Sequence, residues 1–186
     1  MIYEFCAENV TLLEKAMQAG ARRIELCDNL AVGGTTPSYG VTKAAVELAA
    51  DYDTTIMTMI RPRGGDFVYN DLEVGIMLED IALTAQAGSQ GVVFGALTAD
   101  KKLDKANLEK LIAASKGMEI VFHMAFDELR DEDQLEAIDW LSQAGVTRIL
   151  TRAGVSGDSL EKRFAHYHRI LEHAAGKIEI LPGGGI

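Results

Sequence analysis

The chain has 186 residues, 48% of them apolar and 25% charged, with a formal net charge of −10. That length suits one sizeable domain, and the apolar content is too high for a disordered chain. The acidity, with no cluster of Lys and Arg, excludes a nucleic-acid role, since binding phosphates takes concentrated positive charge. Neither a signal-like start nor an apolar run of membrane-spanning length occurs, so a cytoplasmic protein without a membrane partner is expected. In that compartment its two cysteines, Cys6 and Cys27, are expected as reduced thiols.

In chain order, strand-like runs fall at Ile2–Cys6, Arg23–Cys27, Thr55–Arg61, Gly91–Phe94, Glu119–His123, Arg148–Thr151 and Lys177–Leu181. Helical periodicity fills the gaps at Val10–Ala19, Val41–Ala50, Asp71–Ala87, Lys105–Ser115, Glu132–Ala144 and Ser159–Ala174, which is the α/β alternation. An Ala-Gly stop, the expected left-handed helix cap, precedes the second, fourth and sixth strands at Ala19-Gly20, Ala87-Gly88 and Ala144-Gly145. Its spacing suggests a repeat of two-strand units.

Such repeats close into a barrel or stay open as a doubly wound sheet. No Gly-x-Gly-x-x-Gly follows the first strand, and polar residues recur at the ends of many strands, so a TIM-type (β/α) barrel forming a single domain is predicted. A complete barrel needs eight strands and seven are visible, so the eighth is expected to be missing or to lie beyond these 186 residues.

Strand side chains alternate faces. The apolar set, such as Phe5, Ile24, Leu26, Ile56, Ile60, Val92, Phe94, Ile120 and Phe122, takes the helix-facing side. Glu4, Cys6, Glu25, Cys27, Met57, Met59, Arg61, His123 and Thr151 then face inward. Charged groups there are costly unless they meet one another or a ligand. The pattern Glu-x-Cys occurs twice, as Glu4-Phe5-Cys6 and Glu25-Leu26-Cys27. On neighbouring strands about 5 Å apart the two thiols are within reach of a shared soft, low-coordinate ion such as Cu(I), with Met57, Met59 and Met124 as further sulfur donors. Structural zinc would want four ligands, and no such set is spaced for it. The alternative is two small buried hydrophobes.

The loop after the third strand, Arg61-Pro62-Arg63-Gly64-Gly65-Asp66-Phe67, brings two guanidinium groups suited to a small anion. Pairing of Arg61 with Glu4 or Glu25, and of Arg63 with Asp66, is the competing use. His123 ends the fifth strand with Asp127 four residues on, a candidate proton shuttle and its orienting acid. His166, His168 and His173 read as a solvated helix surface. Gly183, Gly184 and Gly185 follow the seventh strand, where barrels often bind phosphate through backbone N–H groups.

Several segments together carry a resemblance: Ile24-Glu25-Leu26-Cys27, Gly33-Gly34-Thr35-Thr36-Pro37-Ser38, Ile60-Arg61-Pro62-Arg63-Gly64-Gly65-Asp66-Phe67, Phe122-His123-Met124-Ala125-Phe126-Asp127 and Arg148-Ile149-Leu150-Thr151. In this order they resemble the CutC family of copper-homeostasis proteins. The resemblance implies a TIM barrel, a cytoplasmic homo-oligomer (dimer or higher) and copper binding at Cys6 and Cys27. Met124 departs from the arginine frequent at its position, and Ala7 from a second cysteine.

Two functions follow. One is a Cu(I)-binding protein of copper homeostasis, with Cys6 and Cys27 as ligands. The other is a barrel enzyme of lyase or isomerase type acting on a small anionic or phosphorylated metabolite. In that reading Glu25, Arg61, His123 and Asp127 are catalytic, and Arg63 with Gly183, Gly184 and Gly185 hold the anion.

Overall fold

In a computed structural model, residues 2–154 and 157–184 are described. They form two compact units. Residues 2–66, 70–94 and 113–119 make the first. It contains strands β1 (Glu4–Glu8), β2 (Arg23–Cys27), β3 (Thr55–Met59) and β4 (Gly91–Phe94), with helices α1 (Leu13–Gln18), α2 (Tyr39–Ala49) and α3 (Asp71–Ala87) between them. β1, β2, β3 and β4 pair in chain order, all parallel. The chain continues with α4 (Lys105–Ala114) and β5 (Glu119–Phe122), which fall in the second unit except for Ala113, Ala114 and Glu119, and then, wholly in the second unit, with α5 (Gln134–Gln143), β6 (Arg148–Thr151), α6 (Leu160–Ala174) and β7 (Glu179–Pro182). There β5, β6 and β7 again pair parallel in chain order. A parallel strand order that follows the chain, with a helix between successive strands, is the TIM-type βα repeat.

Apolar patterning explains the layers. Every residue of β2 and of β4 is buried, as expected of parallel strands covered on both faces. Ile24, Leu26, Ile56, Ala45, Ala49, Leu13 and Met17 form one core cluster under α1 and α2. Local signals set the helix ends. Asn70 and Glu73 form a reciprocal capping box at the start of α3. Ser38 and Ser159 cap α2 and α6. The three Ala-Gly stops turn through left-handed glycines, Gly20, Gly88 and Gly145.

The layer at the strand beginnings is held by cross-strand ion pairs that repeat in the two units. Arg23 pairs with Glu4, its register partner. Arg148 pairs with Glu179, its own register partner, at 3.0 Å. Glu4 is therefore held at the base of β1 by Arg23, and is not the partner of Arg61 that the sequence allowed.

Boundaries shift where tertiary bonds outweigh local pattern. β1 lies two residues later than predicted, because Ile2 and Tyr3 are exposed and only Glu4 onward meets β2. α1 is shorter than expected, since Asn9 and Leu12 take left-handed backbone angles that an α-helix cannot contain. Ile178 bonds back to the Ala174 carbonyl, which delays β7 to Glu179.

Candidate metal centre

Register creates the centre. Cys6 lies opposite Glu25 and Cys27 lies opposite Glu8, so the two Glu-x-Cys copies are offset by two residues. The third residue of the first copy therefore faces the first residue of the second. One ligand atom from each of Cys6, Glu25 and Cys27 falls within 4.8 Å of the others. Cys6 is exposed and Cys27 is buried, while Glu25 is only 7% exposed. A soft cation thus has an open approach at one sulfur and an anchored donor behind it.

Electrostatics fixes the protons. A hydrogen bond from the Cys27 thiol, opposed by burial and helped by the Glu25 carboxyl, holds the Cys6 thiol down at about 7. The same bond, with burial, pushes the Cys27 thiol far up. Burial first, and the Cys6 charge next, raise Glu25 well above the usual carboxylate range. Near neutrality a partly ionised Cys6 is the acceptor of this group, and both the Cys27 thiol and the Glu25 carboxyl are shifted toward holding their protons.

A loop seals the buried side. Gly34 sits against Cys27 with a left-handed backbone, and a Cβ there would lie 3.1 Å from the Cys27 sulfur. Arg61 holds this loop by donating to the carbonyls of Val32 at 2.9 Å, Gly34 at 2.8 Å and Gly65 at 2.9 Å. Its own backbone N–H donates to Thr36 Oγ1 at 2.9 Å. Arg61 also contributes a small lowering influence on the Cys27 thiol. Arg63 donates to Glu73 at 2.5 Å and pairs with Asp66 at 3.0 Å. The Arg63–Asp66 pairing is the competing use raised from sequence. Both guanidinium groups are thus engaged by the protein. Glu25, assigned to acid–base work, belongs to the cysteine cluster.

Met57 packs its thioether toward Gly91, where an added Cβ would stand 2.6 Å from the sulfur. It thus fills core space beside the strand, the ordinary use of a methionine.

The remaining predicted site residues lie in the second unit. His123 is 4% exposed, stacks at 4.8 Å on Phe67 and accepts from the Ala125 N–H through Nδ1 at 3.2 Å, which puts its own proton on Nε2. Asp127 accepts from the Thr151 hydroxyl and from the Arg152 N–H at 3.0 Å. Burial raises its carboxyl despite these bonds. Those bonds direct Asp127 to the end of β6 rather than to the imidazole it was expected to orient. Gly183 has its N–H on the Thr151 carbonyl at 2.9 Å, so this donor is taken. Gly184 carries a left-handed backbone at φ 74°, and Gly185 lies outside the described residues. The Met124 sulfur faces Arg152 at 4.0 Å. His166, read as solvated, instead meets the buried Gln134 at 2.7 Å, and burial lowers its basicity. Arg152 went unnoticed in the sequence, because one residue beyond a strand carries no periodic signal.

A sequence model of the CutC family matches residues 1–186. The chain belongs to the CutC family. A CutC family protein of Enterococcus faecalis is 52% identical over 186 residues, all of this chain and 89% of that protein. A human protein named copper homeostasis protein cutC homolog is 40% identical over 185 residues, covering 100% of this chain and 65% of its own length. The crystal structure of the putative copper homeostasis protein CutC from Streptococcus agalactiae superposes with a TM-score of 0.96 at 46% identity, covering 100% of this chain and 89% of that one. A solved aldolase, QR15, shares the fold alone, with a TM-score of 0.71 at 15% identity over 100% of this chain and 80% of that one. The chain therefore has the TIM-type fold. Among its described residues no helix is long and apolar enough to cross a membrane.

Proposed function

We propose that this CutC-family chain binds Cu(I) in the service of copper homeostasis, through the sulfurs of Cys6 and Cys27. The observation that carries the reading is the convergence of Cys6, Glu25 and Cys27 ligand atoms within 4.8 Å. Two sulfurs at that reach, with no histidine in the group, favour a soft monovalent ion over Mg²⁺ or Ca²⁺, which prefer sets of oxygen ligands. The donors fit: Cys6 is already partly thiolate, and the ion displaces the proton from Cys27 as it binds. Glu25 stands beside both sulfurs as a hydrogen-bond donor or, once ionised, as a charge partner for the cation. The names of the human and streptococcal relatives support the same assignment. A reducing compartment, the cytoplasm, follows from the need for free thiols, and a homo-oligomer remains part of the proposal.

Anaerobic titration with Cu(I) against a chromogenic chelator tests it. About one ion per chain is expected, released in Cys27→Ser and weakened at least tenfold in Cys6→Ser. Wild-type affinity in Cys27→Ser would remove the basis of the reading.

A further inference from the structure

Arg152, half-buried at the end of β6, makes few side-chain bonds for a guanidinium. Its Nε–H is buried and has no acceptor among the described residues. Among the described residues, the adjacent Nη2 bonds only the thioether of Met124, at 4.0 Å. A thioether is a weak acceptor on a flexible stem. One whole edge of the guanidinium, the two parallel N–H groups that suit an oxyanion bidentately, is thus left with a poor, displaceable partner.

The backbone around this edge is built and fixed. Asp127 accepts from the Arg152 N–H at 3.0 Å and also binds Thr151. Arg163 donates through Nε to the Arg152 carbonyl at 2.9 Å and through Nη2 to the Gly184 carbonyl at 3.3 Å, tying the ends of β6 and β7 together and adding a second positive charge. Gly184 completes the cradle. A Cβ at that position would stand 2.7 Å from the Met124 Cε and 3.4 Å from the Arg152 Nε, so a side chain there would crowd both the fork and the methionine that an entering anion must displace. The nearby Asp158 is paired with Lys162 at 2.7 Å, and Asp127 accepts from the Thr151 hydroxyl and from the Arg152 and Gly154 amides while its carboxyl also feels the Arg152 charge.

We infer that Arg152, positioned by Arg163 and facing Gly184 and Met124, is an oxyanion-binding site for a phosphate group, free or carried on a small phosphomonoester. This site lies wholly in the second unit and is independent of the copper proposal. It gives an anion-holding role to a residue that the sequence did not single out.

The test titrates the ¹⁵N-labelled full chain with inorganic phosphate at constant ionic strength held by chloride. The readout is the Arg152 Nε–Hε resonance, assigned by its loss in Arg152→Lys. A saturable shift is expected for phosphate and for ribose 5-phosphate. Tighter binding of the ester marks a phosphometabolite as the ligand, and equal binding marks free phosphate. In calorimetry, Arg152→Gln should weaken phosphate at least tenfold and Gly184→Ala at least threefold, with Cu(I) binding unchanged in both. Absence of a saturable shift, equal phosphate affinity in Arg152→Gln, or malonate binding as well as phosphate overturns the site. Should Arg152→Gln fail to fold, the wild-type resonance and Gly184→Ala decide alone, and unchanged affinity in Gly184→Ala then counts against it.

Discussion

Cys6 should be alkylated with a pH midpoint near 7. Its thiol is held at about 7 against an ordinary value of 9.0, so at pH 7 half of it is thiolate, compared with about 1% of an unperturbed thiol. That is roughly a fifty-fold gain in the reactive form. A two-unit fall in basicity also lowers intrinsic nucleophilicity by roughly eight-fold, for a Brønsted slope of about 0.4–0.5. The net expectation is therefore a rate roughly six-fold above that of an ordinary exposed thiol at pH 7, falling below it on the alkaline plateau. Cys6 is exposed and Cys27 buried, so modification should be confined to Cys6 until the fold opens. Iodoacetamide labelling from pH 5 to 10, read by peptide mass, measures the profile. Since the largest cause of the lowering is the bond from Cys27, Cys27→Ala should move the midpoint up toward the ordinary range. A wild-type midpoint at or above 8.5, or one that Cys27→Ala leaves in place, would refute the proton arrangement drawn for the centre.

Glu25→Gln should gain stability relative to the wild type as pH rises. The folded carboxyl titrates well above its ordinary 4.5, so between those two points the folded state holds a proton that the unfolded state has lost. Wild-type stability then falls with pH while that of the Gln variant does not; urea unfolding at pH 5 and pH 8 reads the difference, and parallel curves would speak against a neutral Glu25. Gly91→Ala should lose about 1–3 kcal/mol by overpacking, because its Cβ would meet Met57 Cε at 2.0 Å and the Glu119 carbonyl at 2.7 Å. By contrast Gly75→Ala, in mid-helix with nothing within 4 Å of the new Cβ, should gain about 0.5–1 kcal/mol, and the same unfolding series checks both. Diamide should not readily link Cys6 to Cys27. The two-residue register offset implies Cα atoms about 8 Å apart, beyond the usual 4.4–6.8 Å for a disulfide, and a rapid mass loss of two hydrogens in folded protein would contradict the register.

Much of the fold was legible in the residues themselves. The spacing of Ile24, Leu26, Ile56, Val92 and Phe94 carries the strand period, and the Ala-Gly stops mark where three helices end. These signals are local, because side-chain alternation and left-handed glycines act within a few residues of their cause. The existence of a cysteine centre was legible as well, in the repeated Glu-x-Cys.

Composition of the centre depended on what local pattern cannot encode. The repeat suggested Cys6 within reach of Cys27, and the fold brings their sulfurs together, but only the pairing of β1 with β2 added Glu25 opposite Cys6 and gave Glu4 to Arg23. Parallel register is decided by the packing of α1 and the burial of β2, contacts far apart along the chain. The same holds for the guanidinium groups. Arg61, prominent in its motif, is drawn onto loop carbonyls, while Arg152, with no motif around it, is left with a thioether as neighbour. The chain by itself settled which elements form and that thiols and charges gather at strand ends. Only tertiary structure decided which partner each polar group meets, because hydrogen-bond satisfaction in a buried site is a property of its neighbours in space.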